Sequence, residues 1–148
     1  MYHQYAPFFS ELWHKIRNGE SLTYSWDIGM GTNFTSLFAY YLASPSNWFV
    51  ALFPQKYTIE IMNAFIILKI AGSSLSLTYY LTKHNNNKHV IAAIFGMFYG
   101  MSGFIAAYSW NIMWLDCVIL IPLIMLGLER LVNENRCIFY CITLGLCI

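Results

Sequence analysis

Charge is what this chain has least of. Only 10% of its 148 residues are Asp, Glu, Lys or Arg, against about 25% in an ordinary globular domain, so a water-facing surface could not be covered. Because 58% of the residues are hydrophobic, the long Ile, Leu, Met and Phe runs need lipid rather than water around them. A net charge of +1 offers no electrostatic footprint for nucleic acid or for an acidic partner. Paired C-x-x-C spacing is also missing: Cys117, Cys137, Cys141 and Cys147 all fall inside apolar runs, where free thiols pack as small hydrophobes. The carboxylates and the four histidines show no convergent spacing that would define a metal site.

What is present is a series of apolar runs of membrane-crossing length. A bilayer core about 30 Å thick needs roughly 20 mostly apolar residues per helix, and residues 59–81, 90–108 and 112–131 each supply such a run. A fourth begins at Cys137 and reaches Ile148 in the middle of its hydrophobic stretch. The expectation is an all-α, polytopic transmembrane helix bundle over 59–148, with residues 1–58 as a loop carrying helices at the membrane surface. The short connections "KHNNNKH" (83–89) and "ERLVNENR" (129–136) hold the basic residues, which places them in the cytoplasm by the positive-inside rule. Residues 1–58 and 109–116 are then extracytoplasmic. No signal peptide or spanning helix precedes this outer segment, so the chain is expected to be a fragment of a longer multipass protein.

Within the outer segment, Pro7 can open a helix whose Phe8, Phe9, Leu12, Trp13 and Ile16 form one apolar stripe. Glu11, His14, Lys15 and Arg17 fall elsewhere, and Asn18-Gly19 ends it. Such a helix is expected to lie in the interface plane. "SLFAYYLASPSNWFVALFP" (36–54) is broken by Ser44, Pro45 and Pro54 into two pieces too short to span, read as interfacial or re-entrant helices. "YSWDIGMGTNF" (24–34) surrounds Asp27 with aromatics and glycines, but it lacks G-x-G-x-x-G spacing and no strand or helix signals frame it, which argues against nucleotide binding. Asp27 is read either as a turn former or as a functional acid.

Ionisable groups within spans are costly, so they pair or line a polar path. Lys69 shares a helix face with Gly72, Ser73, Ser76 and Tyr80. It reads either as a structural lysine bonded to carbonyls and a distant carboxylate, or as a cation beneath an anionic substrate. Asp116 follows "YSWNIMWL" and lies fourteen residue steps before Arg130, about 21 Å along a helix. With Arg130 at the inner interface, Asp116 is shallow enough to meet water from outside. Trp110 and Trp114 read as belt residues, and the competing role for Asp116 is a cap on the next helix. Ala93, Gly96, Gly100, Gly103 and Ala107 form a small-residue stripe suited to close packing. Pro122 should kink the third span unless a neighbouring group satisfies the carbonyl it frees.

"YHQYAPFFSELWHKIRNGESLTYSWDIGMGTNF", "YYLASPSNW", "FYGMSGFIAAYSWNIMWLD" and "PLIMLGLERL" together resemble the N-terminal part of the YfhO-like bacterial membrane proteins, over nearly the whole chain. Members of that family are several times longer. The resemblance implies a GT-C-type glycosyltransferase architecture, with a first outer loop bearing a catalytic carboxylate. It also implies a polyprenyl-phosphate sugar as donor and a cell-envelope polymer of the teichoic-acid type as acceptor. A divalent metal is left open as a cofactor. An acidic residue precedes the Tyr-His-Gln-Tyr motif in the family pattern, and this chain starts at Met1. Asp27 and Asp116 therefore carry over as candidate catalytic acids, with His3, Gln4, Tyr5, Lys69 and Asn111 as candidate substrate-binding groups. The rival readings are a multipass transporter or lipid flippase, using Lys69 and the Pro122 kink as pathway elements, and a non-catalytic membrane partner subunit.

Overall fold

The computed structural model describes residues 3–84 and 89–147; four residues of the basic connection expected in the cytoplasm, 85–88, lie outside that range. The described residues form seven α-helices and almost no sheet. Three segments, Gln55–His84, His89–Tyr108 and Ile112–Glu134, are long and apolar enough to cross a membrane. The chain divides into two compact units, Met1–Phe65 and Ile66–Ile148.

In the first unit, helix α1 runs from Tyr5 to Asn18. Pro7 falls in its first turn, where the missing N–H is one that no helix could satisfy. The helix closes on Gly19 at φ +67°, a left-handed cap that suits a residue without Cβ, with the Gly19 N–H bonded to Lys15 O. Phe9 and Leu12 are buried, as the apolar stripe requires, but so are Glu11 and Lys15. Of the charged residues outside the stripe, Glu11 and Lys15 pack against the chain, while His14 and Arg17 are exposed. A correction concerns residues 24–34. They form an antiparallel hairpin, β1 (Tyr24–Ser25) pairing with β2 (Thr32–Asn33), where the sequence signals gave no strand. Its tip turns through positive φ at Gly29, Met30 and Gly31, and a Cβ on Gly31 would collide with the Tyr24 hydroxyl.

Helix α2 (Phe34–Leu37) is capped by Asn33 Oδ1, which accepts from the Thr35 and Ser36 N–H groups, and it continues as a wider π turn through Leu42. After a break at Ala43–Ser44, a 3₁₀ segment runs from Pro45 to Leu52. These are the two short pieces expected from the prolines. They close over α1 through Tyr5 and Phe8 against Tyr41 and through Trp13 Nε1, which donates to Phe53 O at 2.6 Å.

The second unit takes in α3 (Thr58–His84) from its third turn, then α4 (His89–Gly100), α5 (Gly103–Tyr108), α6 (Ile112–Glu134) and α7 (Ile138–Cys147). Positions 69, 72 and 80 of α3 face residues 116, 119 and 129 of α6 in that order, so these two helices run parallel. α4 runs opposite to α3: Gly96 sits at Ser74 and Thr78, and Gly100 at Ile70 and Ser74. An added Cβ on Gly96 would lie 2.6 Å from Ser74 O, which is why only glycine permits this approach. The small-residue stripe does not extend further. The helix breaks at Met101–Ser102, and beyond it Gly103 faces open space and Ala107 is exposed.

Ile105, Leu115 and Val118 form an apolar core with Ile66, Ile70 and Tyr99 around them. Pro122 is buried inside α6. Its missing N–H leaves the carbonyl of Val118, four residues earlier, without its helical donor, and Tyr99 Oη donates to that oxygen at 2.8 Å. A neighbouring helix thus satisfies what the proline released.

Candidate functional site

Lys69 and Asp116 come together across α3 and α6. Lys69 Nζ donates to Asp116 Oδ2 at 2.9 Å and to Ile112 O at 3.0 Å. The lysine side chain is 6% exposed and the aspartate 25%, so the pair has a closed side and an open one. α6 begins at Ile112, and Asp116 follows by a little over one turn, about 6 Å along the axis. This excludes the capping role: the cap position is Asn111, and Asp116 lies inside the helix with its carboxylate turned to the lysine. Asn111 is buried beside the start of α6. Trp110 and Trp114 are exposed around the same end, as belt residues would be.

Further along the shared face the polar groups are satisfied within α3. Ser73 Oγ donates to Ile70 O at 2.7 Å and Ser76 Oγ to Ser73 O at 2.9 Å, which lets the helices pack without orphaned hydroxyls. The face ends in a second polar cluster that sequence reading did not find. Tyr80 Oη donates to Glu129 Oε1 at 2.7 Å, and His84 Nδ1 lies 2.9 Å from the same oxygen. It sits at the end of the bundle opposite Asp116. Tyr80 carried a signal, since it shared the Lys69 face, but its partner lies 49 residues away.

The remaining candidates belong to the first unit. Asp27 is exposed at the hairpin tip, and its backbone N–H donates to Ser25 Oγ at 3.2 Å. His3 is exposed. Gln4 Nε2 donates to Tyr41 Oη at 2.8 Å. Tyr5 is 1% exposed and meets the Tyr41 ring edge-on at 5.5 Å. Burial, with Tyr41 and Tyr40 adding to it, pushes its phenol up from 10.0 to about 12. The group is neutral at physiological pH, and its ring packs against Tyr41.

The hairpin is mounted on α1 by residues that fall outside its apolar stripe. Lys15 Nζ donates to Ser21 O at 3.1 Å and Tyr24 O at 2.9 Å and lies 3.6 Å from Glu11 Oε1. Ser25 Oγ donates to that same carboxylate oxygen at 2.6 Å. The i,i+4 spacing of Glu11 and Lys15 was visible, but on a helix it usually marks a solvated pair.

No group of three His, Cys, Asp or Glu side chains converges on a metal position among the described residues. Asp116 meets a lysine where a metal site would need a further ligand, so these residues do not fit a divalent ion.

The family model described as bacterial membrane protein YfhO matches residues 1–148. The chain belongs to the YfhO family. No curated protein and no solved structure matches it. Family and fold agree on a membrane protein, since this YfhO chain has three segments able to cross a bilayer.

Proposed function

We propose that this YfhO chain is part of a membrane glycosyltransferase of the GT-C type. In this reading it moves a sugar from a polyprenyl-phosphate donor to a cell-envelope polymer of the teichoic-acid type on the outer face. The observation that carries the reading is the Lys69–Asp116 pair. It places a cation and a partly exposed carboxylate one turn inside the bundle, at the end ringed by Trp110 and Trp114. A donor whose tail stays in lipid presents its phosphate and sugar at such a depth. There the lysine can take the phosphate charge while the carboxylate accepts a hydroxyl proton. The end bearing Lys83, Arg130 and Arg136 then faces the cytoplasm, and in this reading residues 1–58, with Asp27, are extracytoplasmic.

The test is Asp116→Asn in the full-length protein. Sugar transfer to the envelope polymer should be lost, with membrane insertion unchanged. Wild-type transfer by this variant removes Asp116 from the chemistry. A paired lysine and carboxylate between spanning helices also suits an ion or lipid pathway. That transporter reading predicts substrate flux across proteoliposomes without any new glycosidic bond.

A further inference from the structure

The hairpin bearing Asp27 is joined to α1 by one continuous polar relay. The Asp27 N–H donates to Ser25 Oγ, and that hydroxyl donates to Glu11 Oε1. Lys15 closes on the same carboxylate and also bonds the carbonyls of Ser21 and Tyr24, on the way into and at the start of the hairpin. The Lys15 ammonium lies 5.4 Å from the Phe34 ring centroid, at the hairpin's exit. One side chain, 4% exposed, therefore grips the hairpin at both of its ends. The tip is the opposite: Trp26 is 77% exposed and Met30 97%, and Asp27 stands beside them.

A buried ion pair is a costly way to hold a loop if the loop only needs to be held. Its distinctive property is directional: charge-assisted hydrogen bonds fix the backbone at Ser25 and Asp27 to within the tolerance of their geometry. We infer that Lys15 and Glu11 are positioning residues, which orient Asp27 through Ser25 without touching substrate. The inference rests on the transferase reading for what Asp27 does, and on the relay alone for how it is held.

Both parts are tested in the full-length protein reconstituted in bilayers, with the native cysteines replaced and Met30→Cys carrying a nitroxide. The parent should give the spectrum of a label on an ordered turn, limited by backbone motion, since the side chain at 30 has open space around it. Lys15→Met should mobilise the label, and so should Ser25→Ala, whereas Glu11→Gln, which still accepts from Ser25, should do so less. Sugar transfer by Lys15→Met should fall about 10- to 100-fold, as a misplaced group costs, with the whole fall in turnover and the donor concentration at half-maximal rate unchanged. An unchanged spectrum in Lys15→Met overturns the relay. A mobilised label with full turnover overturns the positioning role. Full transfer by Asp27→Asn, with the label still mobilised by Lys15→Met, overturns the catalytic reading of Asp27 and leaves the relay standing.

Discussion

Two lysines in this chain do the same thing in different settings. Lys15 and Lys69 are both nearly buried, and each bonds backbone carbonyl oxygen and meets carboxylate. Lys15 finds its acids close in sequence, Glu11 at 3.6 Å on its own helix and Glu20 at 3.8 Å just beyond it, whereas the acid of Lys69 lies 47 residues away on another helix. The first pair fastens a loop to a helix, and the second fastens two membrane-spanning helices to each other. An ion inside a span pairs because lipid does not solvate it. Pairing on α1 is optional and was selected by the position of the hairpin.

The contrast predicts unequal costs. Lys69→Ala leaves Asp116 as an uncompensated charge and should destabilise by about 3–5 kcal/mol, read as thermal unfolding in detergent. Lys69→Met with Asp116→Leu should recover most of that loss. A cost below about 1 kcal/mol would make this an ordinary exposed ion pair and erase the distinction. Lys15→Ala should cost less, about 2 kcal/mol, since Glu11 keeps the Ser25 hydroxyl as a donor. Equal losses at the two lysines would break the comparison from the other side.

Smaller still is the prediction at Tyr99. Tyr99→Phe should cost about 1 kcal/mol by orphaning Val118 O. In a Pro122→Ala background the same substitution should cost almost nothing, because an alanine there restores the helical N–H donor to that carbonyl. Additive losses would show that the tyrosine does not compensate the proline. At neutral pH the smallest effect concerns Tyr5, which acts only on the alkaline limb. Its phenol is raised in the folded state from 10.0 to about 12, so its contribution to stability is fully present below pH 10 and is lost as pH rises toward 12. Tyr5→Phe should flatten that alkaline limb of a stability–pH profile, and an unchanged limb would place Tyr5 outside a true interior.

The spans were legible because twenty apolar residues in a row have few alternatives, and Lys69 and Asp116 stood out against that background. Glu11 and Lys15 did not. Charged residues on an amphipathic helix have an ordinary explanation in water, and nothing local announces that a hairpin will cover them. The hairpin itself was missed because its strands are two residues each, too short for any alternation to register. The break at Met101–Ser102 was missed for a related reason: the glycines at 96, 100 and 103 read equally well as a packing face, and only two of them are used as one.

By itself the sequence determined that this protein is helical, lives in lipid, and carries a lysine and an aspartate that must be neutralised within its spans. Those follow from composition and run length, which are local and cumulative. The tertiary structure decided which partners answer those needs: Lys69 for Asp116, Tyr99 for the carbonyl freed by Pro122, and Lys15 for the hairpin. Each is a contact between residues that one helix or one loop cannot bring together, so its existence depends on packing geometry that no single stretch of residues contains.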